Sequence, residues 1–228
     1  MASVFARAPS IDPSPAEAAP PGAREPGTRS RAGNAMGRTR SNVLDGAARS
    51  IVKYGSRRTT MADIAALGGV AKATVYNHFR TKPEVYAALA VAEVEALAAE
   101  CASVLAAEGF AEALARAADR IGGHPVVRRL ALDEPAMLAG LAMPSAAPGW
   151  QAARAAVCAG LDRAGRSSEA PTLDLVLRWL SSHLLWPGGQ DELTLAAGLL
   201  AAGLPGPAPE LEAAPPTDGP VETPPGHP

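Results

Sequence analysis

Between residues 37 and 204, apolar side chains recur at helical spacing almost everywhere. Leu44, Ala47, Ala48 and Ile51 stand at i, i+3, i+4 and i+7, the stripe by which one helix face meets a core. Gly55 suits the end of that helix. Thr60-x-x-Asp63 has the form of a capping box and opens a second helix that stops at Gly68–Gly69. A third, short helix covers residues 72–79. Pro83 then falls where the first turn of a fourth helix tolerates a residue without an amide hydrogen, and that helix runs to Glu108. Further helices are predicted near 110–121, 125–132, 134–142, 150–165, 171–186 and 191–203, with Pro144–Gly149 as the clearest internal break. Ala and Leu dominate, and no β-alternation or repeat emerges. The fold class is all-α.

The stretch from Thr60 to Phe79 carries the most information. Ile64, Leu67, Val70, Val75 and Phe79 are spaced to form one small core beneath two crossing helices. Ala65 is small where those helices approach, and Gly69 can take the positive φ of a tight turn. With that core facing inward, Lys72, Ala73, Thr74, Tyr76, Asn77 and His78 lie on the outward face. These groups suit phosphates and base edges, as in a helix-turn-helix.

Charge sharpens this picture. The chain carries a formal net charge of −2, but residues 37–86 hold nine Lys/Arg against three Asp/Glu, while residues 87–206 hold eight against thirteen. A basic segment joined to an acidic, apolar remainder points to a polyanion as partner of the first part. Cys101 and Cys158 match no CxxC spacing, so neither a disulfide framework nor a metal site is expected. No apolar run approaches the ~18 residues of a membrane span, and the N-terminus lacks a signal-peptide pattern, which predicts a cytoplasmic protein. Fifteen of the 22 prolines fall in residues 1–36 and 205–228, both expected to be disordered tails. Met36, just ahead of the first organised segment, is a candidate translation start, with a flexible basic arm as the alternative.

Thr59–Thr60, Asp63-Ile64-Ala65, Gly69-Val70, Thr74-Val75-Tyr76-Asn77-His78-Phe79 and Lys82 occur in one order within residues 38–86. In these elements the sequence resembles the tetracycline-repressor (TetR) family of transcriptional regulators. The resemblance implies a helix-turn-helix DNA-binding domain over residues 37–83 and a helical effector-binding and dimerisation domain over 84–204. It implies that Thr60 binds a phosphate through its amide and hydroxyl, and that Lys72, Ala73 and Thr74 enter the major groove. Tyr76 and His78 meet flanking phosphates, Asn77 an adenine edge, with Tyr76 as the alternative base contact, and Lys82 anchors another phosphate. Arg38, Arg40, Arg57 and Arg58 add positive charge. Ala71 departs from the family, which often has Ser there, a better N-cap by about 1 kcal/mol.

The family's C-terminal helices form a dimer interface and a ligand cavity. Segment 171–186 carries Leu173, Val176, Leu177, Leu180 and Leu184 on one stripe, with Leu175, Trp179 and Trp186 on other faces. Segment 191–203 has the same two-sided character, so a homodimer through both is expected. Met137, Leu141, Trp150 and Trp179 are candidate ligand-lining residues, with Leu138 and Met143 nearby and His124, Arg128 or His183 as polar contacts. His183 fits a hydrogen-bonded interface histidine better than a ligand contact. Plain core packing is the alternative for the Met and Trp positions. Together these features describe a dimeric repressor that binds a palindromic operator in double-stranded DNA and is released by a small apolar or amphipathic effector. A ligand-independent regulator or an activator would use the same module. A small helical enzyme is the remote alternative, since neither HExxH nor GxSxG nor a glycine-rich phosphate loop is present, and no cofactor is implied.

Overall fold

The computed structural model describes residues 27–207, with side chains described from Met36. Of the disordered tails expected over 1–36 and 205–228, residues 1–26 and 208–228 lie outside the described residues, and residues 27–36 are helical instead. The chain divides into two units, Met1–Arg38 and Thr39–Pro228. In the first, the backbone is helical from Gly27, ahead of the start at Gly37 expected from pattern. The segment 27–36 carries no apolar stripe, so periodicity alone does not mark it as helix.

The described residues form ten helices and no strand. They are α1 (Gly27–Tyr54), α2 (Met61–Gly68), α3 (Lys72–His78), α4 (Lys82–Ala107), α5 (Phe110–Gly123), α6 (Pro125–Asp133), α7 (Pro135–Leu141), α8 (Pro148–Arg163), α9 (Ala170–Leu185) and α10 (Gln190–Gly203). Prolines stand in the first turns of α4, α6, α7, α8 and α9, where a missing amide hydrogen costs nothing. Gly55, at φ 83°, ends α1, and Gly69, at φ 65°, ends α2.

Two apolar cores organise the second unit. One gathers Val43, Leu44, Ala47 and Ile51 of α1 with Ile64 and Ala65 of α2, Val75 of α3, Phe79, and Val85 and Leu89 of α4. Leu130 of α6 and Leu138 of α7 belong to this same core, with Val126 and Val127 packed against it. It therefore runs on past residue 83 into the helices that follow. Val70 packs on it half-buried, and Leu67, expected inside, is only half-buried as well. The other core joins Leu114 of α5, Leu161 of α8, Leu173, Val176 and Leu177 of α9, and Ala197 and Ala201 of α10.

The close approach of α1 and α2 rests on Gly46 and Gly68. A methyl group added at Gly46 would strike the Ile64 carbonyl oxygen and stand 2.6 Å from the Gly68 nitrogen. One added at Gly68 would stand 2.7 Å from the Asn42 carbonyl oxygen. These obstacles are backbone, which no rotamer change can clear. Gly46→Ala is therefore expected to destabilise the chain by about 1–3 kcal/mol through overpacking, read as a lowered melting temperature.

His183 is 6% exposed and packs edge-on against Trp179, ring centroids 4.9 Å apart, with no hydrogen-bond partner at either ring nitrogen. Burial pulls its pKa below the ordinary 6.5, opposed by the Trp186 backbone and the Glu192 carboxylate. An unfolded chain takes up a proton here as pH falls through about 6.5, a folded chain only at lower pH. The folded state loses stability across that window, because the unfolded state then binds more protons. Melting temperatures at pH 7.5 and 5.5 should differ, and His183→Phe should shrink the difference.

Candidate nucleic-acid interface

The interface is built from two short helices and the turn between them. Thr60 caps α2 reciprocally, its hydroxyl accepting from the Asp63 amide at 3.2 Å and its own amide donating to Asp63 Oδ2 at 2.9 Å. The Thr60 hydroxyl also donates to that oxygen at 2.6 Å. Together these bonds hold the Asp63 carboxyl below the usual range. They also occupy both Thr60 groups expected to meet a phosphate, so that role would require displacing a carboxylate. The amides of Met61 and Ala62, which a helix start leaves without intrahelical partners, are the donors α2 has for an anion there.

Gly69 then reverses the chain. Its amide and that of Val70 donate back to the Ala66 and Ala65 carbonyl oxygens at 3.3 and 3.0 Å, closing the end of α2. Three residues, Gly69–Ala71, separate the helices. Ala71 caps α3 without any side-chain bond, as its departure from Ser predicts.

Helix α3 has only seven residues, and its orientation follows from two of them. Val75 is fully buried and Phe79, just beyond the helix, nearly so. Residues rotated away from that side, Lys72, Ala73, Tyr76 and Asn77, are exposed. Thr74 and His78, expected fully outward, flank the buried side and are half-buried. The Lys72 ammonium stands 5.9 Å from the Tyr76 ring centroid, and the Arg40 guanidinium 5.4 Å from that of Phe79. Arg58 is exposed and donates to the Tyr54 carbonyl oxygen at 2.8 Å.

Lys82 does something other than what its position in the sequence suggests. Its Nζ donates to the carbonyl oxygens of Ser56, Arg57 and Thr59 at 3.0, 3.2 and 3.0 Å. An ammonium has three hydrogens, and all three are directed at the α1–α2 loop. The Tyr86 hydroxyl, one turn along α4, donates to Ser56 O at 2.9 Å. Burial raises the Tyr86 pKa, so it remains a donor at neutral pH. On the other side of the loop stands Glu134, between α6 and α7, accepting from the Ser56 hydroxyl at 2.6 Å and the Arg57 amide at 3.1 Å. Ser56, Tyr86 and Glu134 escaped sequence reasoning. Ser56 and Glu134 lie 78 positions apart, and no local spacing links them.

The expected ligand-lining set is split, with Trp150 and Trp179 on one core and Met137 and Leu141 apart from them on α7. Leu138 takes the inward position of α7 and is fully buried, whereas Met137, turned about 100° away, and Leu141, at the helix end, are exposed. Trp150 and Trp179 are half-buried and pack on the other core. An open cleft of about 170 Å³ is lined by Asp119, Gly122, Arg128, Pro187 and Leu193 among others, and none of the four borders it. His124 pairs with Glu93 at 3.3 Å.

Residues 43–89 match the model of the tetR family of bacterial regulatory proteins. Over 51 residues the chain is 45% identical to the HTH-type transcriptional regulator TtgR of Pseudomonas putida, covering 22% of this chain and 24% of TtgR. The chain thus matches about a quarter of that relative's length. In fold, it is similar to the TetR-family repressor AlkX of Dietzia sp., implicated in n-alkane biodegradation. The TM-score is 0.56 at 18% identity, covering 72% of this chain and 93% of AlkX. Among the described residues, no helix is long and apolar enough to cross a membrane.

Ala71→Ser supplies the missing cap and should stabilise α3 by about 1 kcal/mol. Thermal unfolding followed by circular dichroism checks this; an unchanged midpoint would mean that α3 draws its stability entirely from packing.

Proposed function

We propose that the chain, whose residues 43–89 match the model of the tetR family of bacterial regulatory proteins, is a homodimeric TetR-family transcriptional repressor that acts in the cytoplasm on a palindromic operator. The observation that carries this reading is the exposed face of α3. Val75 and Phe79 are buried, while Lys72, Ala73, Tyr76 and Asn77 face solvent. Asn is the side chain that bonds an adenine edge bidentately in the major groove, and Lys72 supplies charge at the helix start. Thr74 and His78 contribute from the flanks. Lys82 serves here by shaping the loop ahead of α2 rather than by meeting a phosphate directly.

Dimerisation is supported by the two-sided character of α9 and α10. Both bury one face in the second core, yet Leu175, Leu185 and Trp186 are exposed, and Leu195 and Leu199 are 65% and 68% exposed on one stripe of α10. Large apolar side chains left exposed on both helices fit a surface that a second copy covers. A palindromic operator calls for two α3 helices at half-sites about one helical turn, ~34 Å, apart, and a two-fold dimer is the arrangement that would supply them.

Release by a small apolar or amphipathic effector is the mode of control we attach to this reading. The effector would have to bind one conformation more tightly than the other, since equal affinity shifts nothing. The dispersal of Met137, Leu141, Trp150 and Trp179 favours a second reading, in which the same dimer regulates without a ligand or as an activator. Titrating effectors into a preformed operator complex separates the two. Catalysis forms no part of either reading.

Selection of bound duplexes from a random pool tests the proposal, and an inverted repeat is the expected outcome. On the selected duplex, Asn77→Ala should change preference at particular base pairs by about 1–3 kcal/mol. Lys72→Ala should lower affinity for all sequences alike and flatten the salt dependence. A protein that enriched no sequence would not be a specific regulator.

A further inference from the structure

Resting on the DNA-binding reading above, we infer that Glu134 is a positioning residue for operator recognition, holding the loop from which α2 and then α3 are launched. The loop opens with Gly55 at φ 83° and closes at Thr60, the cap of α2. Its carbonyl side is gripped from α4 by Lys82 and Tyr86. Its donor side is gripped by one carboxylate. Glu134 Oε1 receives the Ser56 hydroxyl at 2.6 Å and the Arg57 amide at 3.1 Å, and Oε2 stands 3.3 Å from Arg57 Nε. The Thr59 hydroxyl closes the loop internally on the Gly55 carbonyl oxygen at 2.8 Å.

Both partners of the central bond are shielded, Ser56 being 3% exposed and Glu134 8%. A buried carboxylate is costly unless it is fully paired, so a position that only filled space would be apolar. Burial pushes the Glu134 pKa up, but the Ser56 hydroxyl, the Arg57 amide and the Arg57 guanidinium together outweigh it and hold the group ionised. The carboxylate sits at the corner between α6 and α7, whose Leu130 and Leu138 share the core of α1–α4. The corner is therefore packed rigidly against the module it grips. Ser56 and Arg57 cannot shift without moving the start of α2, and the close Gly46–Gly68 contact leaves α2 no slack to absorb a shift.

A positioning role and a bulk electrostatic role predict opposite signs. Glu134 is a negative charge beside a surface that meets a polyanion, and it neutralises Arg57. By charge alone, Glu134→Ala should tighten binding to every duplex. Positioning predicts the reverse for the operator.

The test measures dissociation constants of the full chain for its selected operator and for a scrambled duplex at one salt concentration. It is paired with amide hydrogen exchange over residues 56–68. Glu134→Ala should weaken operator binding about tenfold, the scale of a lost hydrogen bond to a charged group. It should leave the scrambled duplex unchanged or bound more tightly, and it should speed exchange in the loop and α2 but not in α9. Glu134→Gln, which keeps an acceptor oxygen for Ser56 and Arg57, should recover most of the affinity. Ser56→Ala, which retains the carboxylate, covers the case in which Glu134→Ala does not fold, and should weaken operator binding in the same direction. Operator binding that is equal or tighter in Glu134→Ala, or in Ser56→Ala where that variant stands in, would overturn the inference. A Gln variant as poor as Ala would do the same. If the wild-type chain preferred no duplex, the DNA-binding reading would fail instead, and exchange would still decide whether Glu134 holds the loop.

Discussion

Seven residues of helix are too few to stand alone in water, because nucleation costs more than so short a run of hydrogen bonds returns. Helix α3 also lacks a side-chain cap. It exists because Val75 and Phe79 are buried against α1, α2 and α4, each contributing about 1.5–3 kcal/mol. That same burial fixes rotation about the helix axis. Which side chains face outward is thus a by-product of which two must face inward.

The reader is held in place by two kinds of contact that act differently. Apolar packing through Ile64, Val75 and Phe79 sets how α2 and α3 lie on α1, with Gly46 and Gly68 permitting backbone contact. Polar contacts set where the unit begins. Lys82, Tyr86 and Glu134 occupy the carbonyl oxygens and donors of the loop at 55–59, a segment with little apolar surface of its own. Apolar contacts tolerate small slips, whereas hydrogen bonds to a buried carboxylate tolerate few, since each missed one leaves an unpaired charge. The polar grip therefore supplies accuracy and the core supplies stability.

The remaining helices carry more apolar surface than one core takes up. Helices α9 and α10 complete an intramolecular core with one face and leave Leu175, Leu195 and Leu199 on another. Helices α6 and α7 lend Leu130 and Leu138 to the core beneath the reader, so the boundary suggested near residue 83 by the motif is not a boundary of packing.

Local order in this protein was legible from the sequence, because it is decided by local physics. Helix periodicity, the Thr60–Asp63 capping box, the left-handed Gly69, proline in first turns and the inward pair Val75 and Phe79 all depend on neighbours within about two turns. The burial of Thr74 and His78, the engagement of Thr60 and Lys82 by protein groups, and the exposure of Met137 and Leu141 were decided by tertiary structure. So was the meeting of Ser56 with Glu134, 78 positions away. Each depends on which distant backbone arrives to offer a carbonyl oxygen, a carboxylate or an apolar wall. No spacing along the chain encodes that arrival, since it is the outcome of all ten helices packing at once.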